Sequence, residues 1–395
     1  MFKYQIKWKL RVDTIILFFA VISQVQIYSF PDSVRNIIRL ISVIICMIYC
    51  GIHIKGIIKK PLIGLYLFFV ISFYAAYINH YPSNMISFQN SLIYIATTLI
   101  GTLTFYLIAQ IRGVQSLSSI VVKVLLIYWI VNSMSIITIG AGDFAGNNVY
   151  FIGNKFNTVY LNIFILFFMG LDSLKKKQGR LILRTRVWLF WGISVIEALY
   201  LSAFTGLTML LVIALLFIIN NGLVSFIHIS SKYRVFYKPG VIVLMVMLSG
   251  IIAFGMEWIT GATFVKTILD AIGKSQTFGS RLTIYSYLAG IIVKEPWLGY
   301  GYDTNIVTTT YAANAQNGLI KIIIENGLIG CIAFLFMTYL FTKKSDKVKD
   351  LSCDWVLYTI YAFIISAVVE ITYFSYFFII LVLYRVLIDE KLMGS

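Results

Sequence analysis

The chain has 395 residues, of which 60% are hydrophobic, and a formal net charge of +16 at pH 7. Repeated apolar runs of about 20 residues are typical of membrane-spanning helices and exclude a soluble domain of this length. The basic residues form short clusters between the apolar runs and not one folded basic face, so nucleic acid is not an expected partner.

Hydropathy predicts about twelve transmembrane helices, so the expected fold class is all-α, in a single transmembrane domain over residues 1–395. The predicted spans are 14–30, 37–54, 62–79, 88–110, 119–140, 157–173, 187–204, 206–227, 240–257, 318–342, 353–370 and 373–389. The clusters of lysine and arginine fall in alternate connections, and the basic N-terminal flank runs into the first span without a cleavage site. The positive-inside rule therefore predicts that both termini are cytoplasmic.

The cytoplasmic connections are short and contain no Gly-rich phosphate-binding turn, so we expect no nucleotide-binding domain and no cofactor. The four cysteines, Cys46, Cys50, Cys331 and Cys353, lie within or beside apolar runs, where cysteine acts as a small hydrophobic residue. The three histidines are widely separated. No group of residues has metal-ligand spacing, and we predict no metal site.

One long segment is neither a clean span nor a basic connector. It is a predicted extracytoplasmic loop at 258–317, between the ninth and tenth spans, and it offers room for chemistry on the outer face. Within it Arg281 follows a predicted Gly279–Ser280 turn and precedes a semi-apolar helix. A guanidinium at the outer membrane boundary suits a phosphate or pyrophosphate, although snorkelling to lipid phosphates is the alternative interpretation.

Smaller outer segments contain further candidates for binding. Asn154 and Lys155 lie in an Asn/Gly-rich stretch whose amides can bind sugar hydroxyls, but such stretches also form simple turns. Tyr300 and Tyr302 have aromatic faces that can stack on sugar rings, although aromatic belts at the membrane interface are a common alternative.

Three acidic residues are candidates for a catalytic role or for an ion pair. Glu197 lies inside a predicted span, where an ionisable side chain is costly and indicates a functional site. Asp303 belongs to the same outer loop as Arg281. Glu325 is placed to pair with Lys321 one helical turn earlier.

Four short segments resemble the signature loop of the O-antigen polymerase and ligase superfamily, and they follow the ninth of about twelve spans, as in that family. They are GSRL at 279–282, PWLGYG at 296–301, NGL at 317–319 and ENGLIG at 325–330.

The resemblance implies a metal-independent glycosyltransferase that acts on undecaprenyl-pyrophosphate-linked glycans at the outer face of the bacterial cytoplasmic (inner) membrane. It implies that Arg281 contacts the pyrophosphate, that membrane lipids surround the protein, and that a chain-length regulator protein is a possible partner. Many family members have His-Asn where this chain has Gln316-Asn317, and Phe204 replaces an arginine of the family. Both departures favour a polymerase of capsule or O-antigen repeat units over a ligase.

The mechanism that follows uses cations against the charge that develops on the leaving pyrophosphate. Arg281 and Lys155 would supply them, and Gln316 and Asn317 would orient a sugar hydroxyl. Asp303 or Glu197 would accept its proton, because glutamine cannot act as a general base. A lipid-linked oligosaccharide flippase and a ligase-type glycan transferase are the alternative functions.

Overall fold

The computed structural model describes residues 2–79, 88–141, 149–177, 180–182, 185–220, 232–261, 267, 275–302, 304–311, 314–348 and 350–393. Within these ranges only the backbone is described at 2–11, 175–182, 232–234, 256–261, 275–282 and 310–311.

The described chain is almost entirely helical. Its helices are α1 (Phe2–Gln24), α2 (Asp32–Ile52), α3 (Ile54–Ile57), α4 (Ile63–Ile78), α5 (Phe88–Arg112), α6 (Val114–Ile139), α7 (Lys155–Ser173), α8 (Thr185–Tyr200), α9 (Phe204–Ile218), α10 (Pro239–Gly261), α11 (Ser275–Lys294), α12 (Ile306–Tyr311), α13 (Gly318–Thr342), α14 (Leu351–Ser366) and α15 (Ser375–Met393). Short 3-10 turns occur at Lys60–Leu62, Lys232–Tyr237 and Ser345–Lys347. The strands β1 (Lys175–Lys177) and β2 (Arg180–Ile182) form one antiparallel hairpin in a basic connection.

The prediction of a helical, multi-pass membrane protein is confirmed. Six segments in the described ranges are long and apolar enough to cross a membrane: Asp32–Ile52, Lys60–Ile78, Phe88–Arg112, Val114–Ile139, Lys155–Ser173 and Gly318–Lys347. Shorter apolar helices accompany them at Val12–Gln24, Phe204–Ile218, Pro239–Gly255, Thr283–Lys294 and Leu351–Ser366. Each of the twelve predicted spans overlaps a helix, but the count of twelve stays a prediction.

Two helices, α7 and α15, form the centre of the bundle. Residues 158–171 and 376–388 are buried on every side, as expected for helices that are apolar all round. The rings of Phe164 and Tyr376 join the two helices by stacking with their centroids 4.2 Å apart.

The bundle has two ends that differ in their polar contacts. We call cleft end the one at which α1 finishes and α2, α5, α7, α13 and α15 begin, because a cleft lies between these termini. At the opposite end the C-terminal parts of α5, α7 and α15 contain ion pairs made by Arg112, Arg186 and Arg385.

The predicted loop at 258–317 contains substantial helical structure. The turn expected at Gly279–Ser280 is wrong, since α11 begins at Ser275 and continues through both residues. Glycine costs only about 1 kcal/mol in a helix, and tertiary packing offsets that amount. Ile284 and Leu288 of α11 are buried with residues of α10, α12 and α13 in a second, smaller core.

Candidate functional site

Helix α13 is broken at Gly327, and the loop that precedes α12 docks into the break. Gly327 has φ 64° and ψ −171°, about 13 Å along the helix from its start. Backbone hydrogen bonds connect the two segments on both sides of the break: Tyr300 N to Ile324 O (2.8 Å), Gly301 N to Glu325 O (2.9 Å), Leu328 N to Pro296 O (2.8 Å) and Ile329 N to Trp297 O (3.2 Å). Irregular backbone in a membrane protein is stable where such partners satisfy it.

Glycine is required on both sides of this contact. Gly299 has φ +65°, and a Cβ there would lie 2.5 Å from Ile324 O. A Cβ on Gly327 would collide with the Trp297 carbonyl, and its positive φ strains any other residue. At the end of α4, Asn79 Nδ2 donates to Gly299 O at 3.1 Å and fixes the loop to a third element. The docked loop therefore has a defined position in the bundle.

Next to this contact, the cleft divides into two adjoining compartments. The first has a volume of about 360 Å³ and lies between the end of α1, α5 and the first turns of α7, α13 and α15. The second has a volume of about 320 Å³ and lies between α2 and α5. Both volumes fall within the range of small-ligand sites. The residues common to the two linings are Gln26, Arg39, Tyr94 and Tyr302.

The wall between the compartments is aromatic. Tyr94 of α5 and Tyr302 of the docked loop stack with centroids 3.7 Å apart and ring planes 6° from parallel. Ser91 Oγ donates to Tyr302 O at 3.1 Å, so α5 holds both the ring and the backbone of Tyr302. Lys321 Nζ lies 5.9 Å from the Tyr302 ring centroid and 3.5 Å from Glu325 Oε1. The predicted ion pair of Lys321 with Glu325 is thus confirmed.

The charges that line the cleft are mostly positive. Arg39 lines both compartments, Lys321 the first and Arg35 the second. Among the described residues that line the two compartments, Asp32 is the one acidic side chain. Its Oδ1 forms an ion pair with Arg35 Nη2 at 2.6 Å. Guanidinium and ammonium groups beside hydroxyls, amides and aromatic rings are suited to a ligand that combines phosphate with sugar.

Of the two predicted aromatic residues, the structure places one in the cleft. Tyr302 lines both compartments, whereas the Tyr300 hydroxyl donates to Ile291 O at 2.9 Å within the second core. Burial raises the pKa of Tyr300, and the charge of Glu295 adds to the effect. The role of Tyr300 in sugar binding stays a prediction.

Asn154 and Lys155 begin α7 at the edge of the cleft. The Asn154 side chain caps the helix by accepting hydrogen bonds from Phe156 N (3.0 Å) and Asn157 N (3.1 Å). Lys155 Nζ lies 5.7 Å from the Phe156 ring centroid. Asn157, in the same turn, lines the first compartment.

Gln316 and Asn317 immediately precede α13. Asn317 is fully buried as the helix cap, because its Oδ1 accepts from Ile320 N (3.0 Å) and its Nδ2 donates to Ser249 O (2.7 Å) and Val368 O (3.0 Å). This environment assigns the Asn317 side chain a capping role, one helical turn before Lys321.

Gln316 has φ +49°, and its carbonyl accepts from the Tyr285 hydroxyl at 2.7 Å. Tyr285 is one turn after Arg281 on α11, so this hydrogen bond joins α11 to the segment that precedes α13. The side chain of Arg281 and the whole of Asp303 lie outside the described residues, and their roles stay predictions. Tyr302, which precedes Asp303 in sequence, is a cleft residue.

Glu197 lies apart from the cleft lining, among α6, α7 and α8. Its carboxylate accepts hydrogen bonds from Ser133 Oγ (2.6 Å), Asn162 Nδ2 (2.6 Å) and Trp129 Nε1 (3.2 Å). Three donors explain how an acidic side chain is accommodated in an apolar helix. The proposed proton-accepting role stays a prediction.

Arg39 and Tyr94 are site residues that the sequence analysis missed. The sequence contains a signal for Arg39, because Arg35 and Arg39 lie in a connection predicted to be outside and at the start of the second predicted span, where the positive-inside rule disfavours cations. Tyr94 has no such signal, since a tyrosine in an apolar run is ordinary.

In the part of the chain that the structure describes, no group of three or more His, Cys, Asp or Glu side chains could hold a metal ion. Comparison with known proteins adds no family: no protein-family model matches the chain, and a search of curated proteins finds no significant match.

Proposed function

We propose that this protein is a membrane glycosyltransferase of the O-antigen polymerase and ligase superfamily. It joins undecaprenyl-pyrophosphate-linked repeat units into a surface polysaccharide such as capsule or O-antigen. The observation that carries the proposal is the contact between two of the four segments on which the resemblance rests. Segments 296–301 and 325–330 are hydrogen-bonded to each other, and Tyr302 and Lys321 beside them line the cleft.

The proposed topology has twelve spans in the bacterial cytoplasmic membrane, both termini in the cytoplasm and the cleft end facing outward. It is supported by the distribution of charge, because basic clusters alternate along the chain and the paired arginines Arg112, Arg186 and Arg385 share the opposite end. Membrane lipids then surround the helices. A chain-length regulator is a proposed protein partner.

In the proposed reaction the lipid pyrophosphate is the leaving group, so the enzyme requires no nucleotide. A hydroxyl of a second lipid-linked unit attacks the anomeric carbon, the bond from that carbon to the pyrophosphate oxygen breaks, and cations stabilise the charge on the departing pyrophosphate. Lys321 lines the cleft where this charge would develop, and Arg281 is the cation that the resemblance adds. Asp303 is the preferred acceptor of the hydroxyl proton, because Glu197, the other candidate, lies apart from the described lining of the cleft.

Purified protein in liposomes with fluorescent lipid-linked repeat units tests the proposal. We expect a ladder of longer glycans on the lipid carrier from the wild type and from Lys391→Gln, which breaks an ion pair with Asp350 at the opposite end. Tyr302→Ala should shorten the ladder strongly. Relocation of the units without elongation would indicate the flippase, and transfer to an added glycolipid acceptor alone would indicate the ligase.

A further inference from the structure

Among the arginines whose side chains the structure describes, Arg39 differs from the others in its lack of an acidic partner. The structure describes the side chains of five arginines, and four of them form ion pairs: Arg35 with Asp32, Arg112 with Asp13, Arg186 with Asp172 and Arg385 with Asp389. Arg39 forms none with any side chain in the described ranges.

In the described surroundings of Arg39, no carboxylate pairs with its guanidinium. Its Nη2 donates to the neutral Thr97 Oγ1 at 3.2 Å, and its Nε is buried without an acceptor. Tyr28, Tyr302 and Lys321 line the first compartment with Arg39, and Arg35 and Asp32, which pair with each other, line the second. A half-buried guanidinium whose Nε has no acceptor is stabilised when an anion enters beside it.

The position of Arg39 in α2 makes the lack of a carboxylate partner among the described side chains unusual. It lies seven residues into α2, about 10 Å from the start of the helix, within a segment long and apolar enough to cross a membrane. Ionisable residues at such depth are costly and face cavities or partners. Arg39 faces a cavity on two sides, because it lines both compartments of the cleft.

We propose that Arg39 binds a pyrophosphate group at the junction of the two compartments, and that this group is the head group of a lipid-linked substrate. The planar guanidinium offers paired donors that match phosphate oxygens, and Lys321 supplies a second cation in the first compartment. The lipid-linked part of this inference rests on the proposed function. The anion site itself rests on the geometry of Arg39.

Binding to the full-length protein in detergent tests the inference, with farnesyl pyrophosphate and inorganic pyrophosphate as the two probes. The variants are Arg39→Gln, Arg39→Lys and the matched control Arg186→Gln at the opposite end. We expect Arg39→Gln to weaken farnesyl pyrophosphate binding at least tenfold, Arg39→Lys to weaken it less, and Arg186→Gln to change it less than twofold.

A stability measurement separates binding from a structural role. Because Arg39 has no carboxylate partner among the described side chains, Arg39→Gln without ligand should melt at or above the wild-type temperature but lose the stabilisation that farnesyl pyrophosphate gives. Wild-type affinity in Arg39→Gln, or no binding of either probe to the wild type, would overturn the inference. A lowered melting temperature with undiminished affinity would also overturn it.

The two probes separate the two sources of the anion. Farnesyl pyrophosphate should bind more tightly than inorganic pyrophosphate, because the prenyl chain adds apolar contact. Equal affinity would support the anion site and overturn the lipid-linked source. If farnesyl pyrophosphate binding depends on Arg39 while no glycan ladder forms in liposomes, the proposed polymerase function fails and the pyrophosphate site stands.

Discussion

The two ends of the helical bundle use positive charge differently. At the opposite end each described arginine side chain is paired with a carboxylate: Arg112 with Asp13, Arg186 with Asp172 and Arg385 with Asp389. At the cleft end Arg35 is paired with Asp32, whereas Arg39 has no carboxylate partner among the described side chains and lines two adjoining compartments of the cleft.

The difference separates charges that stabilise the fold from charges available to a ligand. An arginine held by a carboxylate is compensated, most completely in the buried Arg112–Asp13 pair, so it has less to offer an incoming anion. An arginine without a carboxylate partner in an open cleft keeps its charge and its hydrogen-bond donors available to an anion. We therefore propose that the cleft end binds the ligand and that the opposite end anchors the bundle.

The largest expected effect comes from breaking the Arg112–Asp13 pair. The two side chains are 7% and 6% exposed, and Tyr49 also donates to Asp13. Arg112→Gln leaves a buried carboxylate uncompensated and should cost about 3–5 kcal/mol of stability. A melting curve in detergent measures the loss. The double variant with Asp13→Asn should recover part of it, and a melting temperature unchanged in Arg112→Gln would contradict an anchoring role.

A slightly smaller effect is expected where the loop docks at the cleft end. Gly327→Ala adds a Cβ against the Trp297 carbonyl at a positive φ, and strain and overpacking together should cost about 2–4 kcal/mol. Gly290→Ala in α11 is the control, because a Cβ there meets nothing within 4 Å. Polymer length and melting temperature should both fall in Gly327→Ala, and both should stay near the wild-type values in Gly290→Ala. Full polymer length in that variant would show that the docked loop is dispensable.

Substitution of Glu197 tests whether its carboxylate has a structural or a catalytic role. Glu197→Gln replaces an acceptor of three hydrogen bonds by a group that also donates, and should lower stability by about 1–3 kcal/mol. Because Glu197 does not line the described cleft, we expect turnover per folded protein to stay near the wild-type value. Lost turnover with an unchanged melting temperature would instead identify Glu197 as the proton acceptor. The variant for comparison is Gln316→Ala, which should remove about one or two hydrogen bonds to the sugar hydroxyl and therefore lower turnover only partially.

The smallest effect should come from removing metal ions. If side chains supply the positive charge of the cleft, polymerisation in excess chelator without added divalent cation should stay within about twofold of the untreated rate. The described residues contain no cluster of three metal-ligating acidic, histidine or cysteine side chains. Strict dependence on magnesium or manganese would mean that a metal, and not Arg39 or Lys321, neutralises the leaving pyrophosphate.

The sequence was sufficient for those parts of the fold that depend on apolar run length. Helices overlap all twelve predicted spans, and the Lys321–Glu325 pair follows from helical spacing. The sequence could not predict that α11 continues through Gly279–Ser280, because packing of Ile284 and Leu288 outweighs local propensity. Nor could it predict the docking of 296–301 on Gly327, since contacts between distant segments leave no periodic signal.

The candidate site was predictable only in part for the same reason. Tyr302 was identified from its aromatic context, and it stacks on Tyr94, which nothing in the local sequence distinguishes. The sequence predicts that Asn154 and Asn317 bind substrate, but both side chains cap helices. An asparagine before a helix is compatible with either role, so the sequence does not distinguish them. Only the structure shows that Arg39 has no carboxylate partner among the described side chains, and this property distinguishes it from the other described arginines.

The most direct test of the central claim is to map where a lipid-linked substrate binds. A photoactivatable polyprenyl-pyrophosphate glycan, cross-linked to the protein in liposomes and mapped by mass spectrometry, should label peptides that contain Arg39, Tyr94, Tyr302 or Lys321. An excess of unlabelled substrate should abolish the labelling. If labelling that unlabelled substrate abolishes were confined to the opposite end, around Arg112, Arg186 or Arg385, it would contradict the proposal that the cleft binds the ligand.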